Sequence, residues 1–77
     1  MYQEMIESNP GVMLGKPVIK GTRITVELVL EKLSAGESVE QILREHPRLT
    51  QASVLAAISY ARDVLRFEAA YPVRKSA

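Results

Sequence analysis

Ser38-Val39-Glu40-Gln41-Ile42-Leu43-Arg44-Glu45-His46-Pro47-Arg48-Leu49-Thr50-Gln51-Ala52-Ser53-Val54 carries the pattern from which the rest of the architecture follows. Ser38 and Gln41 have the spacing of a capping box, in which a hydroxyl accepts the third helical amide and that residue's side chain reaches back. Val39, Ile42 and Leu43 then recur at the i, i+3, i+4 spacing of a helix with one buried face. Pro47 ends that helix, because the residue before a proline is pushed out of the helical region. Thr50 is placed to cap a longer helix running to about Ala69, with Val54, Ile58, Ala61 and Leu65 as its stripe and Leu55 alongside. A short helix, a turn at Pro47-Arg48-Leu49 and a longer capped helix form the layout of a helix-turn-helix.

Upstream, Val26, Val29, Leu30 and Leu33 mark a first helix from Thr25 or Val26 to Ala35. Gly36 supplies the left-handed residue that commonly closes a helix. Residues 1–25 have a different texture, with two of the four prolines and three of the four glycines. There Pro17-Val18-Ile19 and Thr22-Arg23-Ile24-Thr25 are β-prone runs separated by Lys20-Gly21, which predicts a tight hairpin. Asn9-Pro10-Gly11 is a turn that ends any earlier strand around Met5–Glu7. An isolated hairpin is marginal in water, so this arm must pack on the helices or on another chain. The expected fold is mainly α: a three-helix helix-turn-helix bundle with a short N-terminal β-arm. It forms one domain over residues 1–69, with the arm at about 1–25 and a tail at 70–77.

Composition narrows the function classes. A chain of 77 residues builds one core. Cores of this size rarely supply more than roughly 3–5 kcal/mol net, and disulfides, metals or a second subunit usually add support. The chain has no cysteine and one histidine, which excludes disulfides and the cysteine-rich or multi-histidine metal sites. Self-association is the support that remains, and a homodimer is expected. Leu, Ile, Val and Phe total 22 residues, above the roughly 20% below which disorder is the rule. No membrane span or signal sequence is legible, which fits a cytoplasmic protein. No cofactor is implied.

Charge is informative in its distribution rather than its sum of +1. Residues 16–25 carry Lys16, Lys20 and Arg23 without an acid, residues 26–47 carry five acids against Lys32 and Arg44, and Arg48, Arg62 and Arg66 then face only Asp63. In a helix-turn-helix the first helix of the pair braces the second, whose N-terminal turn enters the major groove. Arg48, Thr50, Gln51 and Ser53 would lie at that end, where Gln suits adenine, Arg suits guanine or phosphate, and Ser and Thr suit several partners. The plainer reading is that Gln51 and Ser53 are ordinary solvent-facing residues of a capped helix. Catalytic readings have little support. Gly15-Lys16 and Gly21-Thr22 do not fit a phosphate-loop pattern, His46 sits at a helix end beside Pro47, and the acids are spread over exposed helix positions.

The string Gly15-Lys16-Pro17-Val18-Ile19-Lys20-Gly21-Thr22-Arg23-Ile24-Thr25-Val26 is followed by Leu33-Ser34-Ala35-Gly36-Glu37-Ser38, Pro47-Arg48-Leu49-Thr50 and Ala56-Ala57-Ile58-Ser59-Tyr60-Ala61. Together, over roughly residues 5–65, these closely resemble the domain-of-unknown-function family numbered 433. The resemblance implies a homeodomain-like three-helix bundle with a β-arm. It also implies a VapB-like antitoxin partnered with a PIN-like nuclease toxin. The sequence departs from that family's pattern at Leu14, where the family often has Gly, at Thr25, where it often has Pro, and at His46, where it often has Tyr. Within the signature, Gly21 has a conformational reason in the turn. Arg23 has three readings: a phosphate clamp, an ion pair with Glu27 or Glu31 that fixes the arm on the first helix, or such a pair across a dimer.

The function expected is an antitoxin that is not an enzyme, represses its own operon as a DNA-bound homodimer and neutralises a nuclease toxin. The DNA-contacting set is Arg48, Thr50, Gln51, Ser53, Lys20 and Arg23. The alternative is an interaction module that inhibits a partner without touching DNA. The C-terminal stretch with Phe67, Tyr71, Val73 and Arg74 has two readings, a segment that orders on the partner protein and a simply disordered tail.

Overall fold

A computed structural model describes residues 4–67. The elements in chain order are β1 (Ile6–Glu7), a one-turn 3-10 segment (Met13–Gly15), β2 (Val18–Ile19), α1 (Val26–Ser34), α2 (Val39–Glu45) and α3 (Gln51–Phe67). The body is three helices with a short antiparallel arm at its N-terminal side, as the hydrophobic pattern predicts. Tyr71, Val73 and Arg74 fall outside the described residues.

Each helix starts where a side chain can satisfy its open amides. Thr25 Oγ1 accepts from Leu28 N–H at 3.0 Å at the start of α1. Ser38 and Gln41 close the capping box of α2 reciprocally, at 3.1 and 2.9 Å. The first turns of helices leave amides without intrahelical partners, so such caps are worth about 1 kcal/mol each. At its other end α1 closes through Gly36, whose φ of 93° lets Gly36 N–H reach Leu33 O at 3.0 Å and Glu37 N–H reach Lys32 O at 3.1 Å. These two bonds define a Schellman closure. Lys32 then ties α1 to the next helix, its ammonium 2.8 Å from Glu45 and 3.5 Å from Glu37. The hydrogen bond from Lys32 holds the Glu45 carboxyl below the usual carboxylate range, and the same bond raises Lys32.

The arm pairs differently from the sequence expectation. Lys20-Gly21 does form a turn, with Thr22 N–H donating to Ile19 O at 3.0 Å and Gly21 at φ 79°. Beyond it, Thr22–Thr25 forms no ladder with β2, making the isolated bridge Val18–Thr25 and the bond from Ile19 N–H to Ile24 O at 2.9 Å. The ladder partner of β2 is β1, with Ile6 opposite Ile19 and Glu7 opposite Val18. Thr22 explains the difference. Its hydroxyl donates to Ile19 O at 2.8 Å and accepts from Ile24 N–H at 3.0 Å, which holds a wider loop shut without a ladder. β2 thus lies between two neighbours, and both its side chains are buried.

The core joins Ile19 of the arm to Val26 and Val29 of α1, Ile42 of α2, Leu49 of the turn, and Val54 and Ala57 of α3. Val18, Val29, Ile42 and Val54 are fully enclosed, each contributing about 1.5–3 kcal/mol by leaving water. α3 requires a correction. Of its expected stripe only Val54 is buried, Ala61 is half-buried, and Leu55, Ile58 and Leu65 face outward. The inner face is instead Ser53, Val54, Ala56 and Ala57, continued by half-buried Tyr60 and Val64. Ala56 and Ala57 are buried on this face, so the helix turns its small side toward the body and its larger aliphatic residues away.

Candidate functional site

The turn between α2 and α3 is set by what its residues bury. Leu49 enters the core, and its N–H donates to His46 O at 2.9 Å, so the tight loop leaves Pro47, Arg48 and Thr50 exposed. Arg48 sits at a junction. It lines a hollow of about 240 Å³ with Lys20, Thr50 and Ser53, and a second of about 520 Å³ with Gly21, Thr22 and Arg23. The arm's turn and the interhelical turn are therefore side by side, and residues nearly thirty positions apart share one surface. Lys20, Arg23 and Arg48 are exposed, and none of them forms an ion pair with the described residues. Glu4 also lines the first hollow and Glu7 the second. Glu7 is engaged, accepting from Gly21 N–H at 3.2 Å.

The N-terminus of α3 carries a reciprocal cap that removes one candidate. Ser53 N–H donates to Thr50 Oγ1 at 3.1 Å, Thr50 N–H donates to Ser53 Oγ at 2.8 Å, and the Ser53 hydroxyl donates to Thr50 O at 2.8 Å. Ser53 is only 6% exposed. Its hydroxyl is saturated and enclosed, so it serves the helix start rather than a ligand. Thr50 is exposed but shares its hydroxyl with the cap. Gln51 is exposed, and the amides of Gln51 and Ala52 are among those a helix start cannot satisfy internally. Of the six residues read from the sequence, Lys20, Arg23, Arg48, Thr50 and Gln51 reach the surface and Ser53 does not.

Other expectations resolve with equal directness. Glu27 pairs with Lys16 at 3.1 Å, not with Arg23, which leaves Arg23 outside any ion pair with α1 among the described residues. Lys16, basic in the sequence pattern, is by the same bond withdrawn from the free cationic set. Thr22 has a structural role in its loop, which its place in the signature did not reveal. The arm's approach to Arg48 was not legible in the sequence; the only signal was that an isolated hairpin must pack on something. Phe67, from the expected partner-binding segment, is 85% exposed at the end of α3. Among the described residues no group of three or more His, Cys, Asp or Glu could hold a metal ion, and no helix is long and apolar enough to cross a membrane.

These elements define a small mainly-α domain of three helices with a β-arm against its last interhelical turn. A family model described as "Protein of unknown function (DUF433)" matches residues 6–61, and the chain belongs to that family. It is 37% identical over 59 residues to "Uncharacterized protein y4eO" of Sinorhizobium fredii (strain NBRC 101917 / NGR234), an alignment that covers 77% of this chain and 27% of that protein. The chain thus spans about a quarter of that relative's length. No solved structure matches it.

Proposed function

We propose that this chain is a DNA-binding antitoxin that acts in the cytoplasm by binding rather than catalysis, represses its own operon as a dimer and neutralises a PIN-like nuclease toxin. The antitoxin role and the toxin's class come from the family resemblance. The DNA-binding role is carried by one observation: Lys20, Arg23 and Arg48 line adjoining hollows beside Thr50 at the start of α3, and none of them forms an ion pair among the described residues, although Glu4 and Glu7 line the same hollows.

The chemistry follows from that grouping. Cations clustered beside a helix N-terminus suit phosphate, since the open amides and the positive end of the helix dipole add to their field. In this reading Lys20, Arg23 and Arg48 contact phosphates on either side of the groove and set the register. Gln51, on the exposed first turn, is the one side chain of the set fitted to a base edge. Enclosure of Ser53 makes the tip rigid, because the cap fixes the angle at which α3 leaves the turn.

The test is a mobility-shift titration of the purified chain on the DNA upstream of its own gene, with unrelated DNA as competitor. The expected result is a shift that survives competitor and weakens as salt rises. No shift at low salt overturns the DNA reading. Exposed Leu65 and Phe67 favour a second reading, a module that inhibits a partner protein without contacting DNA. Removing residues 70–77 separates the two activities: DNA binding persists and neutralisation of the nuclease is lost.

A further inference from the structure

The outward face of α3 carries a second apolar pattern, which the body does not use. Leu55, Ile58, Arg62 and Leu65 are all exposed and recur at i, i+3, i+7 and i+10. That is the seam spacing of paired helices, in which apolar residues return every 3.5 positions. Beside its C-terminal half runs an apolar groove of about 400 Å³ between α1 and α3, walled by Val26, Leu30, Tyr60 and Val64. α3 is thus apolar on two faces, one against its own core and one against nothing among the described residues.

The charge of this face identifies its occupant. A two-fold contact sets each group of one subunit against the same surface of the other, so a face with unbalanced charge repels its copy. Here the cations at the strip are already neutralised within the chain. Arg62 donates twice to Asp63, at 3.1 and 3.2 Å, and Lys16 at the groove rim holds Glu27 at 3.1 Å. Arg66, four residues after Arg62, flanks the strip, exposed and outside these ion pairs. The contrast with the unpaired Lys20, Arg23 and Arg48 is direct: that surface calls for an anion, and this one is balanced for itself.

We propose that a second copy of this chain packs on the α3 face as an antiparallel helix pair with its two-fold axis beside Tyr60. That register places Leu55 of each copy against Leu65 of the other, and Ile58 against the aliphatic stem of Arg62. No two Arg62 side chains meet, and each guanidinium stays with its own Asp63. The arrangement deepens the DNA reading, on which only its functional consequence rests. With a rise of about 1.5 Å per residue, the starts of the two α3 helices lie roughly 27 Å apart along the pair. The basic turns lie beyond them at opposite ends, and a separation of roughly 34 Å would match successive half-sites.

Sedimentation equilibrium of the full chain tests the pairing without DNA. The expected mass is twice the 8.6 kDa of one chain at tens of micromolar, falling to one chain in Ile58→Glu with its helical circular dichroism retained. The register is tested by Leu55→Glu and Leu65→Lys, each expected to be monomeric alone and to form a dimer when mixed. A monomeric wild-type chain at about 100 μM overturns the proposal, as does a dimer that Ile58→Glu leaves intact. A wild-type chain that dimerises only after residues 68–77 are removed also overturns it, by showing that the chain's own tail covers the face. Arg48→Ala is expected to keep the dimer mass whether or not DNA binds, so failure of the pairing and failure of the DNA reading are seen separately.

Discussion

The two ends of α3 do opposite things with the same kind of helix. At its N-terminal end the side chains are small or polar, the start is locked by Thr50 and Ser53, and the arm brings unpaired cations alongside. At its C-terminal end exposed Leu65 and Phe67 stand among Arg62, which is held by Asp63, and Arg66. α1 spans nine residues and α3 seventeen, so the body supports the first half of α3 more fully than the second. Burial and ion pairing, rather than composition, distinguish the two ends.

The largest effect is expected from disturbing the inner face on which both ends depend. Ile42→Ala empties a fully enclosed site and is expected to cost about 2–5 kcal/mol, comparable to the net stability of a core this small. Thermal circular dichroism should find the variant largely unfolded near room temperature. Leu65→Ala, on the outer face at 75% exposure, is expected to stay within about 0.5 kcal/mol of the parent when measured at concentrations where the chain is monomeric. Equal destabilisation by both substitutions would mean that the two faces of α3 are not distinct.

Ser53→Ala comes next in size. It removes the partner of Thr50 and is expected to cost about 1 kcal/mol in urea unfolding, with no change in the salt dependence of DNA binding beyond what stability explains. Gln51→Ala should leave stability unchanged and reduce discrimination between the operator and its single-base variants. If the two substitutions exchange these effects, the assignment of Ser53 to the fold and Gln51 to the ligand is reversed.

The smallest expected effect is on pH. Glu45 sits below the ordinary carboxylate range because Lys32 hydrogen-bonds it. A carboxyl depressed in the folded state adds stability above its unfolded pKa, and that stability is lost as pH falls through the folded one. Lys32, raised by the same bond, adds stability that is complete below its unfolded pKa and lost as pH rises through the folded one. Between those limits the contribution is flat. Both groups are solvent-accessible, so screening keeps it small. In acid titration Glu45→Gln should lower the melting temperature slightly near neutrality and narrow its fall below pH about 4. A variant that matches the parent at neutral pH and differs only in alkali would contradict this link.

Much of the body was legible because its signals are local. Thr50, Ser38 and Gln41 act within one turn of themselves, and Gly36 and Pro47 end helices by their own backbone constraints, so spacing alone locates α1, α2 and the start of α3. What was not legible depends on neighbours distant in sequence. Ile6–Glu7 forms the ladder on one side of β2, while on the other side Thr22–Thr25 makes only an isolated bridge, with Thr22 spending its hydroxyl on the loop. The inner face of α3 buries the small Ala56 and Ala57, whereas an apolar count favours larger residues such as Ile58 and Leu65. The candidate site shows the same division. Arg48 and Gln51 follow from the helix-turn-helix spacing, whereas the proximity of Arg48 to Lys20 and Arg23 needs the arm folded onto the turn, and the enclosure of Ser53 needs its reciprocal bonds.

The contrast between the ends of α3 is decided by the slope of log binding constant against log salt on the operator for three proteins: the parent, Arg48→Ala and Arg66→Ala. Removing one cation that touches a phosphate should flatten that slope by about one. If the two ends are different surfaces, Arg48→Ala flattens the slope by about that amount and Arg66→Ala leaves it unchanged. Equal slopes for all three proteins, or a flattening confined to Arg66→Ala, would contradict it.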